Sequence, residues 1–296
     1  MASIITERTT QSGNDLRWNL LQAKALELRV ARAFALFNNL GIQAILIKGW
    51  AIARLYPADK PRVTTDIDLA VSAKDYDAAS HIADSADAQR LAIDLHRELR
   101  HLDTVEWTDL LDNSLTIYLD GVPIRVLRPE DHLRVLCVHW LTDGGEFKER
   151  LWDIVYLIQS RPSDFDWDRC LNVVSPVRRR WLLCTLGLAR RYIGLDLDGT
   201  PIVNETRNLP AWLIRAVERA WASSVRLRPL HSSLNDRKVL IQQIVKRLRP
   251  NPIQATIDME GSFDAKTRVF YQIGSILKRF GPSLRRISGS IWSRLR

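Results

Sequence analysis

Residues 44–71 read AILIKGWAIARLYPADKPRVTTDIDLAV. A short apolar, β-branched run, Ile42 to Ile47, predicts a buried strand that ends on Lys48-Gly49. Trp50 to Tyr56 has helical spacing, and Pro57 stops it. Asp59 to Thr65 is a polar loop containing Arg62. Asp66 to Val71 then predicts a second strand. Its alternation sends Ile67, Leu69 and Val71 to one face and Asp66 and Asp68 to the other. The two carboxylates therefore leave the same face, roughly 6–7 Å apart at the backbone. They repel one another unless a cation lies between them. Hard divalent ions such as Mg²⁺ take oxygen ligands and keep waters that substrate phosphates can replace. The competing reading is that strand-edge aspartates cap loops or face water.

Upstream of this stretch, residues 16–39 are rich in Leu and Ala at helical spacing and predict a long amphipathic helix, ended by Leu40-Gly41. Downstream, 74–88 predicts a helix crossing back, and 91–96 a third strand. In that strand Leu91, Ile93 and Leu95 face the core, while Asp94 and His96 share the opposite face. Asp94 brings a third carboxylate within reach of the pair; His96 is a ligand, a base, a substrate contact or an orienting partner for Asp94. Leu115–Leu119 and Val122–Val126 read as strands joined by Asp120-Gly121, a strong hairpin signal.

After Pro129 the texture becomes helical: 129–141, 147–160, 164–174, 177–193, 211–224, 236–248 and 263–280, with a Gly/Pro/Asn-rich loop at 195–210. The expected architecture is α+β. A small mixed sheet with flanking helices occupies 1–128, and an all-helical domain occupies 129–296. His132, Cys137 and His139 fall on one predicted helix and read as packing rather than as a metal site. Trp140, Trp152, Trp167, Trp181, Trp212 and Trp221 lie in helical patterns and read as core.

The 296 residues carry a net charge of +9. Eight of those charges fall in 265–296, which has no acidic residue. A basic end of this kind suits a polyanion or an anionic surface, or is a solvated helical face. Three widely spaced cysteines build no disulfide framework and no zinc motif. No basic-then-apolar leader opens the chain, and no apolar run approaches the ~20 residues that span a bilayer. These features place the protein in the cytoplasm. A GxSxG elbow is absent, so a Ser-His-acid hydrolase has no support.

Gly49 allows close approach of a ligand to the backbone, and free N–H groups at a helix start favour an anion. Lys48 and Arg62 add positive charge, although each also reads as an ordinary turn or surface residue. Taken together, LIKGWAIARLYP (46–57), Arg62, DIDLAV (66–71), IDLHREL (93–99), RPEDHLRVLCVH (128–139) and RLWDIVYLI (150–158) resemble the nucleotidyltransferase superfamily. More narrowly they resemble the uncharacterised bacterial group called NTP_transf_5, over about residues 40–160. That resemblance implies that Asp66, Asp68 and Asp94 bind Mg²⁺ (with Mn²⁺ as the alternative) and that Asp94 helps activate an acceptor hydroxyl. It implies that Gly49 and neighbouring amides, with Lys48 and Arg62, hold the triphosphate of an NTP. The superfamily's usual Gly-Ser is Gly49-Trp50 here. The implied reaction moves an NMP from the NTP to an acceptor, which is a small molecule, protein or RNA, and releases pyrophosphate. Two alternatives remain: a nucleotide- or nucleic-acid-binding protein without turnover, and a toxin-like enzyme that modifies tRNA.

Overall fold

The computed structural model describes residues 13–99, 102–223 and 250–278. It divides into two compact units: residues 1–133 with 156–165, and residues 134–155 with 166–296.

The first unit is built around five strands: β1 (Ala44–Leu46), β2 (Ile67–Val71), β3 (Ile93–Arg97), β4 (Leu115–Leu119) and β5 (Val122–Val126). Their order is β3-β2-β1-β5-β4. β1 runs antiparallel to β2 and parallel to β5, β2 runs parallel to β3, and β4 and β5 form an antiparallel hairpin. The hairpin turn is Asp120-Gly121, both at positive φ (49° and 80°), as a two-residue turn matching the strand twist requires.

The long helix α1 (Gly13–Asn39) covers one face of the sheet. Leu26, Val30, Ala33, Phe34 and Phe37 are buried at helical spacing against Ala44, Leu46, Ile67, Leu69, Val71, Ile124 and Val126. The strand contributions alternate, as a sheet with one apolar face dictates. β2 is an interior strand and every residue in it is buried, including Asp68.

The expected crossing helix at 74–88 is two short helices, α3 (Tyr76–Ala83) and α4 (Ala86–Gln89). Ser85 separates them and caps the second, accepting a hydrogen bond from the Ala88 N–H; serine competes with helix continuation in this way. The third strand starts at Ile93 rather than Leu91, because Ala92 takes a positive φ of 57°. A one-turn-and-a-half helix, α5 (Trp107–Asp112), lies where no element was expected.

α6 (Pro129–Thr142) begins in the first unit and continues into the second. The second unit includes α7 from its start at Leu151 to Val155, α8 (Trp167–Leu171), α9 (Pro176–Ile193) and α10 (Ala211–Ala222). α7 as a whole spans Leu151–Gln159. Between the helices expected at 236–248 and 263–280, where none was expected, lies a helix at Pro252–Asp258. Proline at the first helical position is compatible with a helix, since that N–H has no intrahelical acceptor anyway, and Asn251 caps it by accepting from Ile253 N and Gln254 N. The helix expected at 236–248 lies outside the described residues, as does the basic end beyond Lys278. Trp140 and Trp181 are core, whereas Trp152 is exposed. The indole N–H groups of Trp140, Trp181, Trp212 and Trp221 each donate to a backbone carbonyl: Phe147, Gly261, Phe263 and Gly145. Trp140 and Trp181 bury their rings, and Trp212 and Trp221 do so in part, while each satisfies its one donor. Among the described residues, no helix is long and apolar enough to cross a membrane.

Candidate active site

The parallel pairing of β2 with β3 puts Asp68 directly opposite Asp94. Adjacent strands lie about 4.8 Å apart, so the two carboxylates stand side by side. His96, two residues along β3, shares the face of Asp94. Its Nε2 is 3.4 Å from Asp68 Oδ1 and 3.3 Å from Asp94 Oδ2. One potential ligand atom from each of Asp68, Asp94 and His96 lies within 4.8 Å of the others. A divalent ion at 2.0–2.6 Å from each donor fits such a spacing.

Lys48 is the fourth member. Its Nζ is 2.8 Å from Asp68 Oδ1, with both side chains largely buried. The position follows from the local chain: Ile47 N donates to the Asp68 carbonyl, at 3.1 Å, so the residue after β1 is stitched beside the middle of β2. Burial is the largest influence on Asp68 and pushes its carboxyl up. The hydrogen bond from His96 and the charge and hydrogen bond of Lys48 outweigh it and hold the group below its ordinary value. Asp68 is therefore ionised at neutral pH.

Gly49 follows with φ 60° and ψ −116°. A Cβ at this position would lie 3.0 Å from the Asp66 carbonyl oxygen and 3.8 Å from Asp68 Oδ2. The Gly49 backbone thus sits directly on the entrance to β2, next to the Asp68 carboxylate. Among the described residues, the N–H groups of Gly49 and Trp50 meet no acceptor. α2 (Trp50–Ala53) is a single turn, so what it offers is free amides rather than a macrodipole. Trp50, standing where the superfamily has Ser, is buried, and its Nε1 donates to Glu27 of α1 at 3.4 Å. It anchors the turn to the helix behind it.

The remaining expected residues are placed differently. Asp66 precedes β2, is exposed, and accepts a hydrogen bond from Thr65 Oγ1 at 3.0 Å; it is not part of the Asp68–Asp94–His96 trio. The backbone around it is held by Arg29 of α1, which donates to the Thr65 carbonyl at 2.9 Å. Arg62 lies with Arg54 near enough to His132 to act on it electrostatically.

His132 carries more than helix packing. It is buried, and its ring donates to the Ile47 carbonyl, the residue just before Lys48. The Nε2 atom has no protein partner. Burial and the two guanidiniums push its pKa down to about 3, so it is neutral at physiological pH. The only sign of it in the sequence is its place in RPEDHLRVLCVH; helical spacing alone files it with the core. Because the unfolded chain protonates near 6.5 and the folded chain near 3, stability is full above pH 6.5 and declines as pH falls below it. Between pH 7 and pH 5 the loss is about 2 kcal/mol, at roughly 1.4 kcal/mol per unit. In urea unfolding at the two pH values, His132→Asn is expected to lack that increment. An equal pH dependence in both proteins would show that His132 titrates normally.

A family model described as uncharacterised nucleotidyltransferase matches residues 13–194. No curated protein and no solved structure matches the chain.

Proposed function

Since the chain belongs to the uncharacterised nucleotidyltransferase family, we propose that it is a divalent-cation-dependent enzyme that moves an NMP from an NTP to an acceptor hydroxyl with release of pyrophosphate. The observation that carries the reading is the register of β2 and β3, which pairs Asp68 with Asp94 and leaves His96 touching both. Asp68 and Asp94 would hold the ion, with His96 as a nitrogen donor and Asp66 as a further carboxylate beside the trio. Mg²⁺ is the first candidate on the carboxylates, and the imidazole suits Mn²⁺ as well. When bound, such an ion neutralises phosphate charge and lowers the pKa of an attacking hydroxyl.

The chain's own groups supply the rest. Asp94, on the open edge strand, is the carboxylate that accepts the proton of the acceptor hydroxyl. The Gly49 and Trp50 amides face the phosphates, and Arg62 and Lys48 add positive charge. Lys48, paired with Asp68 Oδ1, would share that oxygen with a bound ion, acting as counter-charge to Asp68 and as a phosphate contact. Residues 1–128 form the transfer domain in this reading, and 129–296 the helical domain with a basic C-terminal segment. Three free, buried cysteines agree with a cytoplasmic setting. The acceptor is a small molecule, a protein or an RNA.

Incubation with α-labelled NTPs, Mg²⁺ or Mn²⁺ and cell extract is expected to label an acceptor and release pyrophosphate. Asp94→Asn should lower labelling at least 100-fold, the scale on which a positioned base acts, while leaving the exposed strand folded. Absence of label with the native protein would overturn transferase activity. The Lys48–Asp68 ion pair favours one second reading, a nucleotide-binding protein without turnover. It predicts NTP binding with no label transfer and no dependence on Asp94.

A further inference from the structure

The second unit contains a cleft of about 620 Å³, lined among others by Glu146, Trp212, Arg215, Arg219, Arg268 and Gln272. Its volume lies in the range of small-ligand sites. Arg215 and Arg219 are one turn apart on α10 and both exposed. Neither has a carboxylate partner among the described residues. Like charges at this spacing repel one another by a few tenths of a kcal/mol. Arg268 is fixed in place: its guanidinium lies 4.6 Å from the centre of the Trp212 ring and donates to the carbonyls of Ser262 and Ala265. Among the described residues, three guanidiniums thus line the cleft beside one carboxylate, Glu146.

We propose that this cleft binds a phosphate-bearing ligand, with Arg215 and Arg219 as the contacts that recognise it. The guanidinium fork matches phosphate oxygens two at a time. A carboxylate ligand would satisfy one fork; a dianionic phosphate satisfies both arginines and ends their mutual repulsion. Phosphate of this kind comes from a free phosphorylated metabolite or from the end of an RNA. The site uses no residue of the β2–β3 cluster, so it stands or falls separately from the transfer reaction.

The test measures two probes on the full-length protein: a fluorescent 5′-phosphorylated RNA hexamer by anisotropy, and ribose 5-phosphate as its competitor. Arg215→Gln with Arg219→Gln is expected to weaken binding at least tenfold. For RNA it should also reduce the slope of log K against log salt by about 0.7, the value for one lost phosphate contact on a single strand, since both arginines share the one terminal phosphate. Arg215→Lys with Arg219→Lys, which keeps the charge and loses the fork, should fall between. Asp68→Asn should bind as the native protein does. Competition by ribose 5-phosphate supports the site and assigns it to a small phosphate; hexamer binding without that competition supports it and assigns it to RNA. Equal affinity in the native protein and the glutamine variant, or no binding of either probe, overturns the proposal.

Discussion

Asp68→Asn is expected to lower nucleotidyl transfer by about a thousandfold or more and to weaken Mn²⁺ binding, measured by electron paramagnetic resonance, by a comparable or smaller factor. Asp68 meets both His96 and Lys48, and it is register partner to Asp94. In the proposed site, removing its charge would remove an ion ligand and also release Lys48 from its ion pair. Charge stabilisation worth about 4 kcal/mol corresponds to three powers of ten in rate. Asparagine keeps the volume and one acceptor oxygen, so the β2–β3 pairing persists and the loss reads on chemistry rather than folding. Transfer within tenfold of native, together with unchanged Mn²⁺ binding, would remove Asp68 from the site.

The reach of sequence reading is visible in that same cluster. Alternation along 66–71 puts Asp66 and Asp68 on one face, and the pairing of Asp94 with His96 is legible for the same reason. Which of them meet is set by register between strands, and register is a tertiary property. It brings Asp94 beside Asp68 rather than Asp66, and makes His96 a full neighbour. The hairpin at 115–126 was legible to the residue because a two-residue Asp-Gly turn fixes its own register. The split at Ser85 and the helix at Pro252 were less so, since a capping serine and an N-terminal proline each suit both a break and a beginning. His132 shows the limit most plainly. Its spacing belongs to an amphipathic helix, and only the fold discloses that its ring reaches back to the Ile47 carbonyl.

Gly49→Ala is expected to damage both stability and transfer, and the balance between the two decides what Gly49 does. At φ 60° and ψ −116° an L-residue is strained by about 1–3 kcal/mol. The added Cβ would also press on the Asp66 carbonyl at 3.0 Å. That oxygen belongs to the chain entering β2, so relief moves either the Lys48–Gly49 turn or the start of the strand bearing Asp68. A shift of about 1 Å in a reacting group costs on the order of 100-fold in rate, which is the expected loss in transfer. If Gly49 cradles phosphate, the KM for NTP should rise while Mn²⁺ binding, held by β2 and β3, changes little. If Gly49 only turns the chain, stability falls, but KM and kcat measured well below the unfolding midpoint stay within a few-fold of native. A rise in KM confined to NTP, with the acceptor unaffected, would identify the turn as the place where the triphosphate rests.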